Sequence, residues 1–125
     1  MEGKIKNFKD LRIWQLGIDI VKNRYQITQH FPKNEMFGLI SQMRRAALSI
    51  PSNIAEGFNR YHNNEYKQFL YIALGSAAEL ETLVIIAKKL NYCSKNDYEN
   101  LNEEIQQLCR MVSTLIKKLK EGKSS

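Results

Sequence analysis

Apolar residues recur at three- and four-residue steps along almost the whole chain, the period of helices that bury one side. Leu11, Trp14, Ile18, Val21 and Tyr25 keep that step and predict a first helix over 9–30, punctuated by Pro32. Leu39, Met43, Ala46, Ala47, Ile50 and Ile54 predict a second over 35–58. Pro51 lies inside it, lacks an amide hydrogen and crowds the carbonyl of Ala47, so a kink or restart is expected there. A polar loop from Asn59 follows, with Asn64 placed to cap the next helix. Tyr66, Phe69, Ala73, Ser76, Leu80, Leu83, Ala87 and Leu90 predict that third helix over 64–90. Tyr98, Leu101, Ile105, Leu108, Val112, Leu115 and Leu119 predict a fourth over 95–120, opened by Ser94 and Asp97 at capping-box spacing. Its early acids and late bases suit the helix dipole. No Asn-Gly or Asp-Gly turn and no sustained alternation marks a strand. Four long helices joined by short turns predict an all-α, up-down four-helix bundle occupying 1–125 as one domain.

Two helices carry more apolar surface than one bundle face needs. The first adds Ile13, Ile20 and Ile27 at heptad spacing, and the third adds Leu70, Leu74, Ala77, Val84 and Ile85. A second copy of the chain is expected to cover these stripes, with Ile13, Ile20, Ile27, Leu70, Leu74 and Val84 as interface. The alternative is a thicker core with scattered surface apolar residues. On the second helix, Gln42, Arg45, Ser49, Asn53, Glu56 and Arg60 fall along one line. Such a ladder could meet phosphates and base edges. It could equally be an inter-helix network in which Arg45 or Asn53 satisfies Glu56 or Glu79. Glu56 favours the structural reading, because an unneutralised carboxylate repels phosphate.

Composition narrows the function classes. With 125 residues, 43% of them hydrophobic, the chain can fold around one core. Cys93 and Cys109 are too few for a disulfide framework and form no Cys-x-x-Cys motif. The first residues lack the apolar centre of a signal peptide, and no run of about 18 uninterrupted apolar residues occurs. A cytoplasmic protein that does not enter a membrane is therefore expected. The net charge of +6 is uneven: residues 1–62 hold ten Lys/Arg against five Asp/Glu, and residues 63–125 nine against eight. The excess fits a polyanionic partner, RNA or DNA, or serves plain solubility.

Enzyme motifs are sparse. Neither His30 nor His62 has a Glu three residues before it, so the di-metal helical site is excluded and no metal or cofactor is expected. No phosphate-binding Gly-x-x-x-x-Gly-Lys loop or Gly-x-Ser-x-Gly elbow exists. Arg24 and His30 stand at the spacing of the Arg-x(4–6)-His signature of helical HEPN-type ribonucleases, where His would move a proton and Arg would stabilise charge. Against this, Tyr25 replaces the usual polar residue, and the pair sits at the end of the first helix rather than late in the bundle.

Phe8-Lys9-Asp10-Leu11, Trp14-Gln15, Phe31-Pro32, Glu35-Met36-Phe37-Gly38-Leu39 and Ser41-Gln42-Met43-Arg44-Arg45-Ala46-Ala47 form a recognisable series. Ser49-Ile50-Pro51-Ser52-Asn53-Ile54-Ala55-Glu56-Gly57 and Gly75-Ser76-Ala77-Ala78-Glu79-Leu80-Glu81 continue it. Together they resemble the four-helix bundle proteins encoded in bacterial 23S rRNA intervening sequences, sometimes labelled S23 ribosomal proteins. That family is similar to the accessory variability determinant of diversity-generating retroelements, a pentameric bundle that binds nucleic acid and its reverse transcriptase. The resemblance implies a homopentamer with a basic nucleic-acid-binding surface, a possible reverse transcriptase partner and no established catalytic residue. The expected function is thus a non-enzymatic homo-oligomer binding RNA or DNA through phosphate contacts. Arg12, Lys22, Arg24, Arg44, Arg45 and Arg60 are the expected contacts, with Lys117, Lys118 and Lys120 as a second cluster. A protein-interaction scaffold is the alternative, and the Arg24–His30 ribonuclease a weaker third.

Overall fold

The computed structural model describes residues 5–122. Four helices follow one another, α1 (Arg12–Thr28), α2 (Ser41–Phe58), α3 (Asn63–Lys89) and α4 (Lys95–Lys120), with no strand among the described residues. They pack antiparallel in a ring: α2 lies between α1 and α3, and α4 closes against both α3 and α1.

The helix ends have local causes. Asn7 accepts a hydrogen bond from the Lys9 amide and sets up a 3-10 turn, Phe8–Asp10, before α1. A break in helical geometry that the sequence reading did not foresee lies at Gly38. Gly38 leaves helical geometry (φ −114°, ψ −107°) within a wide turn, Met36–Ile40, whose Leu39 amide donates to the Glu35 carboxylate at 3.3 Å. α2 therefore begins six residues later than predicted and runs through Pro51 without a restart. Pro51 is buried against Gly17 of α1, where an added Cβ would stand 3.3 Å from its ring. Asn64 lies inside α3 rather than capping it, because the extended residue before the helix is His62. Ser94 does cap α4, accepting from the Asp97 amide at 3.0 Å. Asn91, in the left-handed region at φ 63°, ends α3: its amide reaches the Lys88 carbonyl and that of Tyr92 reaches Ala87, both at 2.9 Å. The Tyr92 ring then packs 5.5 Å from Phe31 and its hydroxyl donates to Glu35 at 2.9 Å, fastening this turn to the one between α1 and α2.

The faces of α1 are exchanged relative to the sequence reading. Its buried line is Ile13, Gly17, Ile20, Arg24 and Thr28, while Ile18 (40% exposed) and Tyr25 point outward. Counting apolar residues favours the Trp14–Ile18–Val21–Tyr25 line because the true inner line contains a glycine, an arginine and a threonine. Ile13, Ile20, Leu70 and Val84 are therefore core residues, and Ile27 and Leu74 pack against them. None of the four buried ones can serve as the oligomer interface assigned to them. On α3 the core line, Tyr66, Leu70, Ala73, Ala77, Leu80, Val84 and Ala87, runs between the two stripes read from the sequence. This helix is also long and apolar enough to cross a membrane by length and composition. Its surplus is exposed at Tyr71, Ile72 and Ile86.

Candidate functional site

Antiparallel packing brings the start of α1, the end of α2, the start of α3 and the end of α4 to one end of the bundle. Among the described residues, Lys6, Lys9, Arg12, Arg60, Lys67, Lys117, Lys118 and Lys120 gather there against Asp10, Glu56, Glu65 and Glu121, while Asp19 and the paired Arg110 and Glu103 lie nearer the middle of the bundle. The opposite half is nearer balance, with Glu35, Glu79, Glu81, Asp97, Glu99 and Glu104 offsetting most of its bases. The excess that seemed to belong to the first half of the chain thus belongs mainly to one end of the molecule.

Two of the concavities at this end are lined by the late lysines of α4. The larger, of about 480 Å³, lies between the start of α1 and the last third of α4. Ile5, Leu11, Ile13, Met111 and Leu115 form its apolar floor, and Arg12, Arg110 and Lys118 also line it, with Asp10 and Thr114. The second, of about 220 Å³, runs between α3 and α4 and is lined by Tyr71, Leu74, Ser113, Ile116, Lys117 and Lys120. The Lys120 ammonium stands 5.8 Å from the Tyr71 ring centre. Sequence reasoning missed Arg110 as a contact, although the successive four-residue steps from Arg110 to Thr114 to Lys118 put all three on one helical strip.

The other predicted contacts are dispersed. Lys22 and Arg45 are exposed but lie away from the basic end. Arg60 is at that end, yet it pairs with Glu56 at 2.8 Å and lies 5.0 Å from the Phe69 ring centre. Arg44 is half-buried; its Nε donates to Thr28 Oγ1 at 3.0 Å and its guanidinium covers Tyr25 at 4.4 Å. Arg24 is a correction: its side chain is 0% exposed and cannot meet phosphate. It donates to the Leu101 carbonyl at 3.0 Å and to Glu104 at 3.3 Å, and Asn23 holds the other oxygen of Glu104 at 2.6 Å. Burial lowers the Arg24 pKa to about 10, opposed by the attraction of Glu104. The group stays charged at neutral pH and ties α1 to α4. His30 is exposed along a separate groove with Asn23, Gln26, Asp97, Glu103 and Glu104, which Arg24 does not line. The Arg24–His30 spacing therefore forms no open catalytic pair.

Of the polar ladder, Ser49 and Asn53 remain joined, together with Ser76 of α3. Ser49 and Ser76 share a 2.8 Å hydrogen bond across α2 and α3, and Asn53 donates to the Ser49 carbonyl and hydroxyl at 2.7 and 2.8 Å. Gln42, Arg45 and Glu79 are exposed and make no side-chain hydrogen bond or ion pair among the described residues, so they do not belong to it. Glu56 and Arg60, at the end of the same line, pair only with each other. Cys93 and Cys109 are half-buried, and burial raises both thiol pKa values, which suits packing rather than nucleophilic attack.

Residues 9–114 match the 23S rRNA-intervening sequence protein family. The chain belongs to this family. The matched stretch runs from the 3-10 turn before α1 through most of α4, so it includes Arg12 and Arg110 but stops short of Lys117, Lys118 and Lys120. The fold is similar to that of a protein of unknown function from the S23 ribosomal protein family of Bacteroides thetaiotaomicron. The two share 20% identity over 84% of this chain and 95% of the other, with a TM-score of 0.78. At that identity the likeness speaks for the family's helical fold alone. No curated protein matches the chain.

Proposed function

We propose that this family member is a non-catalytic, homo-oligomeric bundle that binds RNA or DNA through phosphate contacts at its basic end. The observation that carries the reading is the gathering of exposed cations there, around Arg12, Lys117, Lys118 and Lys120, without an equal number of acids. Cations of this kind displace condensed counterions from a nucleic acid and hold it with little regard to sequence. Self-association is supported by the apolar strip that the exchange of faces leaves outside: Ile18, Tyr25 and Leu48 (44% exposed), flanked by half-buried Trp14 and Val21. Closing copies around that strip would repeat the basic end, and five copies is the number the resemblance implies. Fluorescence anisotropy with labelled RNA and DNA tests the binding. Saturable binding to both at low salt is expected, and no binding there would overturn it. One observation favours the scaffold reading, the 97% exposure of Phe37 beside the half-exposed Met36 in the wide turn before α2. A protein partner covering Phe37, together with absent nucleic-acid binding, would place that reading first.

A further inference from the structure

We infer that the cavity between α1 and α4 is a binding site for a small amphiphilic anion, a carboxylate on a hydrocarbon chain. Its 480 Å³ falls in the range of small-molecule sites. The floor, built on Leu11, Ile13, Met111 and Leu115, is aliphatic and offers almost no hydrogen-bonding group. Arg12, Arg110 and Lys118 supply positive charge around it, against the single carboxylate of Asp10. An occupant that satisfies both halves has an apolar body and one negative head. A nucleobase fits less well, because its polar edge would lie on this floor without partners. The Thr114 hydroxyl, the one neutral polar side chain there, is already turned to the Arg110 carbonyl at 2.9 Å. Nor is the site a salt-bridge pocket closed on itself: Arg110 reaches Glu103 at 3.4 Å, with both side chains largely exposed, which leaves its guanidinium free to turn. This inference stands apart from the nucleic-acid reading, since it concerns the floor between the cations rather than the cations alone.

The test titrates the full chain with submicellar octanoate, decanoate and decanol, followed by calorimetry and amide chemical shifts. Each methylene removed from water is worth about fourfold in affinity, so decanoate should bind about fifteenfold tighter than octanoate. Losing the charge-assisted head contact should make decanol at least about tenfold weaker than decanoate. The shifts should centre on Arg12, Met111 and Leu115. Leu115→Trp, which fills the floor, should abolish decanoate binding while leaving nucleic-acid binding in place. Should that variant fold poorly, the exposed pair Arg12→Glu/Lys118→Glu provides the second arm and should weaken decanoate but not decanol. Decanol binding as tightly as decanoate, shifts centred on the α1–α2 face, or adenosine monophosphate binding where decanoate does not would each overturn the assignment.

Discussion

Arg24 is the residue whose role the sequence hid most completely. Periodicity counts an arginine as surface, yet here it occupies the inner line of α1 with its guanidinium held by Glu104 and the Leu101 carbonyl. The legible clue was Gly17, since a glycine within a helix marks a close approach, and Ile13 and Ile20 flank it at helical spacing. A buried charge is costly to strand and can be cheap to replace. Glu104→Ala should therefore lower stability by about 2–4 kcal/mol in denaturant melts. Arg24→Met should cost much less, or even stabilise, because it removes the desolvated charge along with the pairing. Arg24→Met should also leave nucleic-acid affinity unchanged; a loss comparable to that of a surface cation would return Arg24 to the interface.

At the scale of elements, the four helices were readable because their apolar residues repeat over many turns, which is the strongest signal a sequence carries. Which face turns inward was not readable on α1, where two apolar lines compete and the one with fewer apolar residues wins. Small residues decide it: Gly17 admits Pro51, and Gly57 of α2 admits α3 so closely that an added Cβ would fall 2.6 Å from that of Phe69. Because the Phe69 Cβ is held by the backbone of α3, Gly57→Ala must separate α2 from α3 and should cost about 1–3 kcal/mol. The exchange of faces makes a paired prediction. Ile20→Glu buries a charge in the core and should unfold the bundle. Ile18→Glu should leave helicity and melting near the parent while shifting sedimentation toward the 14.6 kDa monomer. If Ile18→Glu sediments as the parent does and Leu48→Glu does the same, the α1–α2 strip is not the contact between copies.

For the molecule as a whole, the sequence showed how much net charge there is but assigned it to the wrong unit. Counting along the chain puts it in residues 1–62; antiparallel folding redistributes it, so that the late lysines of α4 join the early cations of α1 at one end. No window along the sequence can see this, because it depends on which helix ends meet. The central claim is that this end, and not the overall charge, holds the nucleic acid. Charge reversal at matched sites tests it: Lys117→Glu/Lys120→Glu at the basic end against Lys88→Glu/Lys89→Glu at the end of α3, both changing the net charge equally. Affinity for labelled RNA is measured across a salt series, in which each phosphate contact contributes about −0.9 to the log-log slope for a duplex or −0.7 for a single strand. The first variant should bind more weakly and with a flatter slope, and the second should keep the parent affinity and slope. Equal losses in the two variants, or a greater loss in the second, would contradict the account.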